Sequence, residues 1–150
     1  MLNIIKADIS NLTEIAKLFD AYRQFYDQKP DFNLATNYIK DRLNNDESII
    51  YLAFNENGKA VGFTQLYPSF CSVAASNIWV LYDLYVSPDA RRQGVAQKLL
   101  TQARRLGADT KSAWLKLETG ITNNAGQTLY EKMGWVRDND FHTYFLDLEA

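Results

Sequence analysis

Apolar positions recur along this chain with two different periods. Leu12, Ile15, Phe19, Tyr22 and Tyr26 follow one another at steps of three and four, which predicts one apolar helix face. Asn11 followed by Glu14 has the form of a capping box at its start. This helix should run to about Asp27, because Lys29-Pro30-Asp31 breaks it. A second helix is expected from Leu34 to Leu43, with Tyr38 and Ile39 turned inward. Residues 2–7 alternate weakly, as a short strand does. Ser48 to Phe54 is rich in β-branched and aromatic residues and reads as a strand. Asn57-Gly58 is a hairpin signal, and Ala60 to Tyr67 is the returning strand. Pro68 either ends that strand or marks a sheet edge. Ser69 to Asn77 is small-residue loop, and Ile78 to Val86 is a nearly continuous apolar run. Such a run predicts a central strand buried on both faces.

The second half keeps alternating. Val95, Leu99, Leu100, Ala103 and Leu106 make a helix face, with Gly107 as its expected C-cap. Ala113 to Thr119 reads as a strand. Asn123 or Asn124 can cap a further helix carrying Ala125, Leu129, Tyr130 and Met133, closed by Gly134. Trp135-Val136-Arg137 and Phe141 to Leu148 are expected to be the last strands. The pattern predicts a single domain over residues 1–150 of α/β (α+β) class, a mixed, mostly antiparallel sheet flanked by helices.

Composition changes this picture little but excludes several functions. The net charge of −2 gives no basis for non-specific nucleic-acid binding. A single cysteine, Cys71, excludes a disulfide framework and a Cys-rich metal site, and no metal is expected. The amino terminus lacks the layout of a signal peptide, and no apolar run approaches a membrane span. A soluble, cytoplasmic protein without a membrane partner is expected.

Two features carry chemistry. Asp83 interrupts the long apolar strand, where an acid is costly unless it is paired or reaches a cavity. It is either a functional carboxylate or one hydrogen-bonded for structure. The loop Arg91-Arg92-Gln93-Gly94-Val95-Ala96 then leads into a helix. A helix start carries unpaired N–H groups and partial positive charge, so this loop reads as a pyrophosphate cradle. Its plainer alternative is a surface turn with two solvated arginines.

Three pieces of the chain, in order and at the right spacing, resemble the GNAT superfamily of N-acetyltransferases. They are the strand ending Asp83-Leu84-Tyr85-Val86-Ser87-Pro88, the loop Arg91 to Ala96 against the family's Gln/Arg-x-x-Gly-x-Gly/Ala, and Asn123 to Trp135. The last looks like Asn-x-x-Ala-x-x-Leu-Tyr-Glu-Lys-x-Gly-Phe, with Gly126 where alanine is usual. The resemblance implies the acyl-CoA N-acyltransferase fold and transfer of acetyl from acetyl-CoA to a primary amine in a ternary complex. It implies that backbone from Arg91, Arg92, Gln93, Gly94, Val95 and Ala96 holds the coenzyme's pyrophosphate. It also implies that the exposed backbone of Leu84, Tyr85 and Val86 pairs with pantetheine, and that Asn123 bonds the same cofactor. Tyr130 would then protonate the departing thiolate. Asp83 leads as the base and Glu118 follows, with a water chain in place of either as the alternative. A homodimer through Phe141 to Leu148 is implied as well.

The acceptor is the open end. The strand is similar to that of diamine and polyamine acetyltransferases, which often read Leu-Glu-Asp-Phe-Phe-Val, but Tyr82 replaces the Glu. The chain also resembles bacterial relatives of histone acetyltransferases. Asp83 and Glu118, with Tyr22, Phe25, Tyr26 and Tyr67, could line a pocket for a small cationic amine. The alternatives are acetylation of a peptide lysine or N-terminus, and a non-catalytic coenzyme A-binding module.

Overall fold

The computed structural model describes residues 1–149. They form two compact units, Met1–Glu118 and a second from Thr119 onward. The first unit holds a five-stranded sheet built from β1 (Asn3–Lys6), β2 (Ile49–Phe54), β3 (Ala60–Cys71), β4 (Ser76–Val86) and β5 (Leu115–Lys116). The strands lie in sequence order; every pair is antiparallel except β4 with β5, which is parallel. The expected mixed, mostly antiparallel sheet flanked by helices is what forms.

Helices α1 (Leu12–Phe25) and α2 (Phe32–Asn44) cover one face. Ile15, Leu18 and Phe19 of α1 and Ala35 and Ile39 of α2 bury against Ile50, Leu52, Phe63 and Tyr85 of the sheet. Burial of such side chains is the main stabilising term, about 1.5–3 kcal/mol for each large apolar group. Helix α3 (Val95–Asp109) packs on the opposite face through Val95, Leu99, Leu100 and Ala103. Its approach depends on Gly62, where a Cβ would stand 3.0 Å from both the Tyr85 carbonyl oxygen and Val95 Cγ1.

Several expectations need correction. The first capping box joins Asp8 and Asn11 in a 3-10 turn over Ile9–Asn11, and Asn11 does not cap α1 with its side chain. Helix α1 stops at Phe25, so Tyr26 falls beyond it and is exposed instead of joining the core. Tyr38 is partly exposed and stacks on Phe19, while Ile39 is fully buried. Pro68 does not end β3. Ile49, the first residue of β2, pairs with Leu66, so Pro68 lies where β3 is bordered only by β4. A proline is tolerated on that free side. The expected loop from Ser69 to Asn77 is therefore a long hairpin with only residues 72–75 outside its strands. Strand β4 is not buried on both faces throughout, since Tyr82 is exposed. Gly107 lies inside α3, packed 3.1 Å (for an added Cβ) from Leu115. The helix ends two residues later.

The second unit contains α4 (Asn124–Lys132). Its C-terminus closes as expected at Gly134, at φ +95°, with the Gly134 and Trp135 N–H groups donating to the Glu131 and Tyr130 carbonyls. No strand forms at Trp135–Arg137 or Phe141–Leu148: residues 135–149 are irregular, and Phe141, Tyr144, Phe145, Leu146 and Leu148 are exposed. Alternating β-formers do not make a strand without a ladder partner. Among the described residues no helix is long and apolar enough to cross a membrane.

Candidate active site

Asp83 lies on β4 opposite Gln65 of β3, and Gln65 lies opposite Ile50 of β2. Residues directly opposite share a sheet face. Asp83 therefore points to the α1 and α2 side, with Phe63 and Tyr85. Tyr82 has no partner in the ladder, because Gln65 pairs with Asp83 while Leu66 pairs with Leu81. Such a bulge bends the strand and re-aims the side chains beside it. It leaves Tyr82 62% exposed and Asp83 only 3% exposed.

The buried carboxylate is held on several sides. Gln65 Nε2 donates to Asp83 Oδ2 at 2.6 Å, and the Ser48 hydroxyl donates to Gln65 Oε1 at 2.7 Å. Thr64 Oγ1 donates to the Asp83 carbonyl at 2.7 Å. The Tyr22 hydroxyl donates to the Tyr82 carbonyl at 3.2 Å and also stands beside the carboxylate. Burial raises the Asp83 pKa, and the bonds from Gln65 and Tyr22 pull it back down. Burial also raises the Tyr22 phenol, with the Asp83 charge adding to it. Tyr67 is raised by burial, by its hydrogen bond with Tyr38 and by the Asp83 charge. Burial and the Asp83 charge thus both oppose ionisation of the Tyr22 and Tyr67 phenols.

The Tyr22 and Tyr67 rings beside this acid each meet further aromatic rings. Tyr22 meets Tyr85 at 6.2 Å and Tyr26 at 5.1 Å, and Tyr67 meets Tyr82 at 5.7 Å between ring centroids. The Tyr38 and Tyr67 hydroxyls are hydrogen-bonded, and the Arg42 guanidinium lies 4.4 Å above the Tyr38 ring. Of the expected acceptor-side residues, Tyr22 and Tyr67 join Asp83. Phe25 and Tyr26 pack on each other at the end of α1. Glu118 is exposed beyond β5 and takes no part in the bonds around Asp83. Gln65, Ser48, Tyr38 and Tyr82 were not expected. Gln65 carried a signal, a polar residue in step with Phe63 along an apolar strand; Ser48 carried none.

The other end of β4 is open. Its ladder with β5 covers only Trp79 and Val80, opposite Leu115 and Lys116. From Leu81 to Val86 no strand among the described residues continues that edge. The Ser87 N–H donates to the Val61 carbonyl at 2.8 Å across the Gly62–Val86 pair. In an antiparallel ladder this turns the N–H and C=O of Leu84 and Val86 toward the open edge and those of Tyr85 toward β3. The expectation of three exposed backbone residues is corrected to two.

The chain then passes through a 3-10 turn, Pro88–Ala90, into the loop before α3. Arg92 and Gly94 take left-handed conformations, φ +63° and +81°, and Gly94 is the N-cap. No side chain caps this helix, and its first turn closes with the Lys98 N–H on the Gly94 carbonyl. The N–H groups of Val95, Ala96 and Gln97 thus have no partner within the helix. Arg91 is not merely solvated: its Nε donates to the Val86 carbonyl at 2.9 Å. Its guanidinium lies 5.6 Å from the Tyr85 ring centroid and 5.7 Å from that of Phe25. Arg92 and Gln93 are exposed.

In the second unit Asn123 is the N-cap of α4, accepting from the Gly126 N–H at 3.1 Å and donating to Thr119 Oγ1 at 3.0 Å. Gly126 makes room for this cap, because a Cβ there would lie 2.5 Å from Asn123 Nδ2. Tyr130 sits on α4 with its ring centroid 6.3 Å from that of Trp135.

The sheet thus opens along β4, and β4 leads into a helix start without a side-chain cap. The chain belongs to the Acetyltransferase (GNAT) family, whose model matches residues 12–135. It is similar to "Uncharacterized N-acetyltransferase YhfO" of Bacillus subtilis (strain 168), with 41% identity over 149 residues and 99% of each chain covered. A "Probable acetyltransferase" of Haemophilus influenzae is 30% identical over 117 residues, 78% of this chain and 80% of that one. A crystal structure of a probable acetyltransferase superposes with a TM-score of 0.92 at 35% identity, covering 97% of both chains. The protein is an N-acetyltransferase.

Proposed function

We propose that this acetyltransferase moves acetyl from acetyl-CoA to the primary amine of a small cationic molecule, by direct attack in a ternary complex. The observation that carries this reading is Asp83, a buried carboxylate beside the Tyr22 and Tyr67 phenols. Aromatic faces attract an ammonium ion, and a carboxylate beneath them completes the attraction. An alkylamine has a pKa of about 10 and must lose a proton before it attacks. Asp83 takes that proton, directly or through the Tyr22 hydroxyl. The amine nitrogen then bonds to the thioester carbon, whose oxygen becomes an oxyanion. The N–H groups of Leu84 and Val86 face the edge along which pantetheine is proposed to lie, and one of them can stabilise that charge. The C–S bond breaks, and the thiolate takes a proton from the Tyr130 phenol. Backbone from Arg91 to Ala96 is assigned the pyrophosphate, with Arg91 bracing the end of β4.

The test is thiol release from acetyl-CoA with putrescine, spermidine, tyramine, kanamycin and a lysine-bearing peptide as acceptors. Small amines are expected to turn over. Asp83→Asn and Tyr130→Phe should each lower kcat by roughly a hundredfold or more, the usual worth of a positioned acid or base. Turnover of the peptide alone overturns the assignment to small amines.

A further inference from the structure

We propose that Gln65 and Ser48 are positioning residues for acetyl transfer: the Ser48 hydroxyl fixes the Gln65 amide, and the amide aims Asp83 and keeps it ionised until the amine arrives. The inference rests on the reading of Asp83 as the acceptor-side base. Its basis is a chain of three polar side chains inside an apolar layer. Gln65 is 0% exposed and sits between Ile50 and Asp83 across the sheet. An apolar residue there would continue the face made by Ile50 and Phe63. Burying an amide, a hydroxyl and a carboxylate together is costly unless each satisfies the next.

The direction of the chain is set by its chemistry. Asp83 ionised is an acceptor only, so the atom of Gln65 that faces it at 2.6 Å must be the amide nitrogen. The amide oxygen then points to Ser48, 2.7 Å away, and the hydroxyl must donate to it. Reversing the amide would set its oxygen against the carboxylate. Ser48 therefore acts on Asp83 through Gln65, and the pair occupies Oδ2. The O–H bond that forms when the amine N–H breaks is made on this carboxylate.

The groups facing Asp83 come from several elements. Gln65 and Tyr67 lie on β3, Tyr22 on α1, and Ser48 just before β2. Tyr38 and Arg42 of α2 act through Tyr67. Among the described residues, the Gln65 amide bonds the carboxylate at 2.6 Å, and the Tyr22 hydroxyl beside it also favours its charge. With Gln65 removed, burial has less to oppose it, so Asp83 holds its proton to a higher pH.

The experiment is a carbon-13 NMR titration of aspartate carboxyl groups in the intact protein, with Asp83 assigned from Asp83→Asn. It is paired with the pH profile of thiol release using putrescine, spermidine, tyramine and kanamycin. Gln65→Met should raise the Asp83 midpoint and the acid limb of the profile together, by about one pH unit, roughly tenfold in proton affinity. Ser48→Ala should move both in the same direction by less, and Ser48→Thr, which keeps the hydroxyl, should restore them. A folded Gln65→Met protein with an unmoved midpoint and limb overturns the proposal. If Gln65→Met does not fold, Ser48→Ala alone decides it, with an unmoved midpoint again overturning it. Failure of the underlying reading looks different: Asp83→Asn would then turn over amines like wild type, with the acid limb intact.

Discussion

Asp83 makes a residue-scale prediction that is independent of substrate. Its pKa is raised above the ordinary 3.8, mainly by burial. The native state therefore holds this proton more tightly than the unfolded chain does. Below pH 3.8 both states are protonated and nothing is lost. As pH rises from there through the elevated native value, the folded state must bear a buried charge, and stability falls. Asp83→Asn removes that slope. Its melting temperature relative to wild type should climb as pH rises above 3.8 and level off once Asp83 is ionised in the folded state, followed by circular dichroism from pH 4 to pH 8. A difference that stays flat across that range would show that burial is not what perturbs Asp83. The oddity of this acid was legible in the sequence, because a carboxylate broke an apolar run. Its partners were not. Ser48, Gln65 and Tyr22 come from separate segments and meet Asp83 only through strand register and helix docking.

At the scale of elements, the helices and hairpin read well because each is set by local chemistry. Asn57-Gly58 turns the first hairpin, and Asn123 and Gly134 bound α4, as their residue types dictate. Strand ends and glycine roles read poorly, because neighbours far along the chain decide them. Gly107 was expected to stop a helix and instead admits Leu115. Gly62 carried no local signal, yet it governs how closely α3 lies on the sheet. A Cβ there would meet a backbone oxygen, Tyr85 O, as well as Val95, each at 3.0 Å, and the backbone cannot simply rotate away. Gly62→Ala should lower unfolding free energy by about 1–3 kcal/mol, the usual cost of overpacking. Gly120→Ala is the control, since a Cβ there meets nothing within 4 Å. It should stay within about 0.5 kcal/mol of wild type. Urea denaturation of the two variants separates these outcomes, and equal stabilities would refute the close approach.

For the whole molecule, motif order exposed the class before any geometry was known, while composition and periodicity alone reached no further than a mixed α/β chain. The last expected strands, Trp135–Arg137 and Phe141–Leu148, did not form, since strand propensity names a surface and not its partner. The β4 edge and the α3 start remain the features on which the coenzyme assignment depends, and both are backbone features. Binding to them should therefore show in global stability more than in any single side chain. At a hundredfold excess over Kd, a ligand of the native state adds about 2.7 kcal/mol. For a chain of this length that is a rise in melting temperature of roughly 5–10 °C. Acetyl-CoA should give such a rise, and ATP and NAD at equal concentration should give less. Gly94→Val supplies the internal control, because Gly94 sits at φ +81° with open space beside it. A β-branched residue resists that conformation, so the ligand-free protein should lose about 1–2 kcal/mol. The rise with acetyl-CoA should shrink as well, because the loop that presents the Val95 and Ala96 N–H groups has moved. If ATP stabilises wild type as much as acetyl-CoA does, the helix start is a general anion site. If Gly94→Val keeps the full acetyl-CoA shift, the pyrophosphate lies elsewhere.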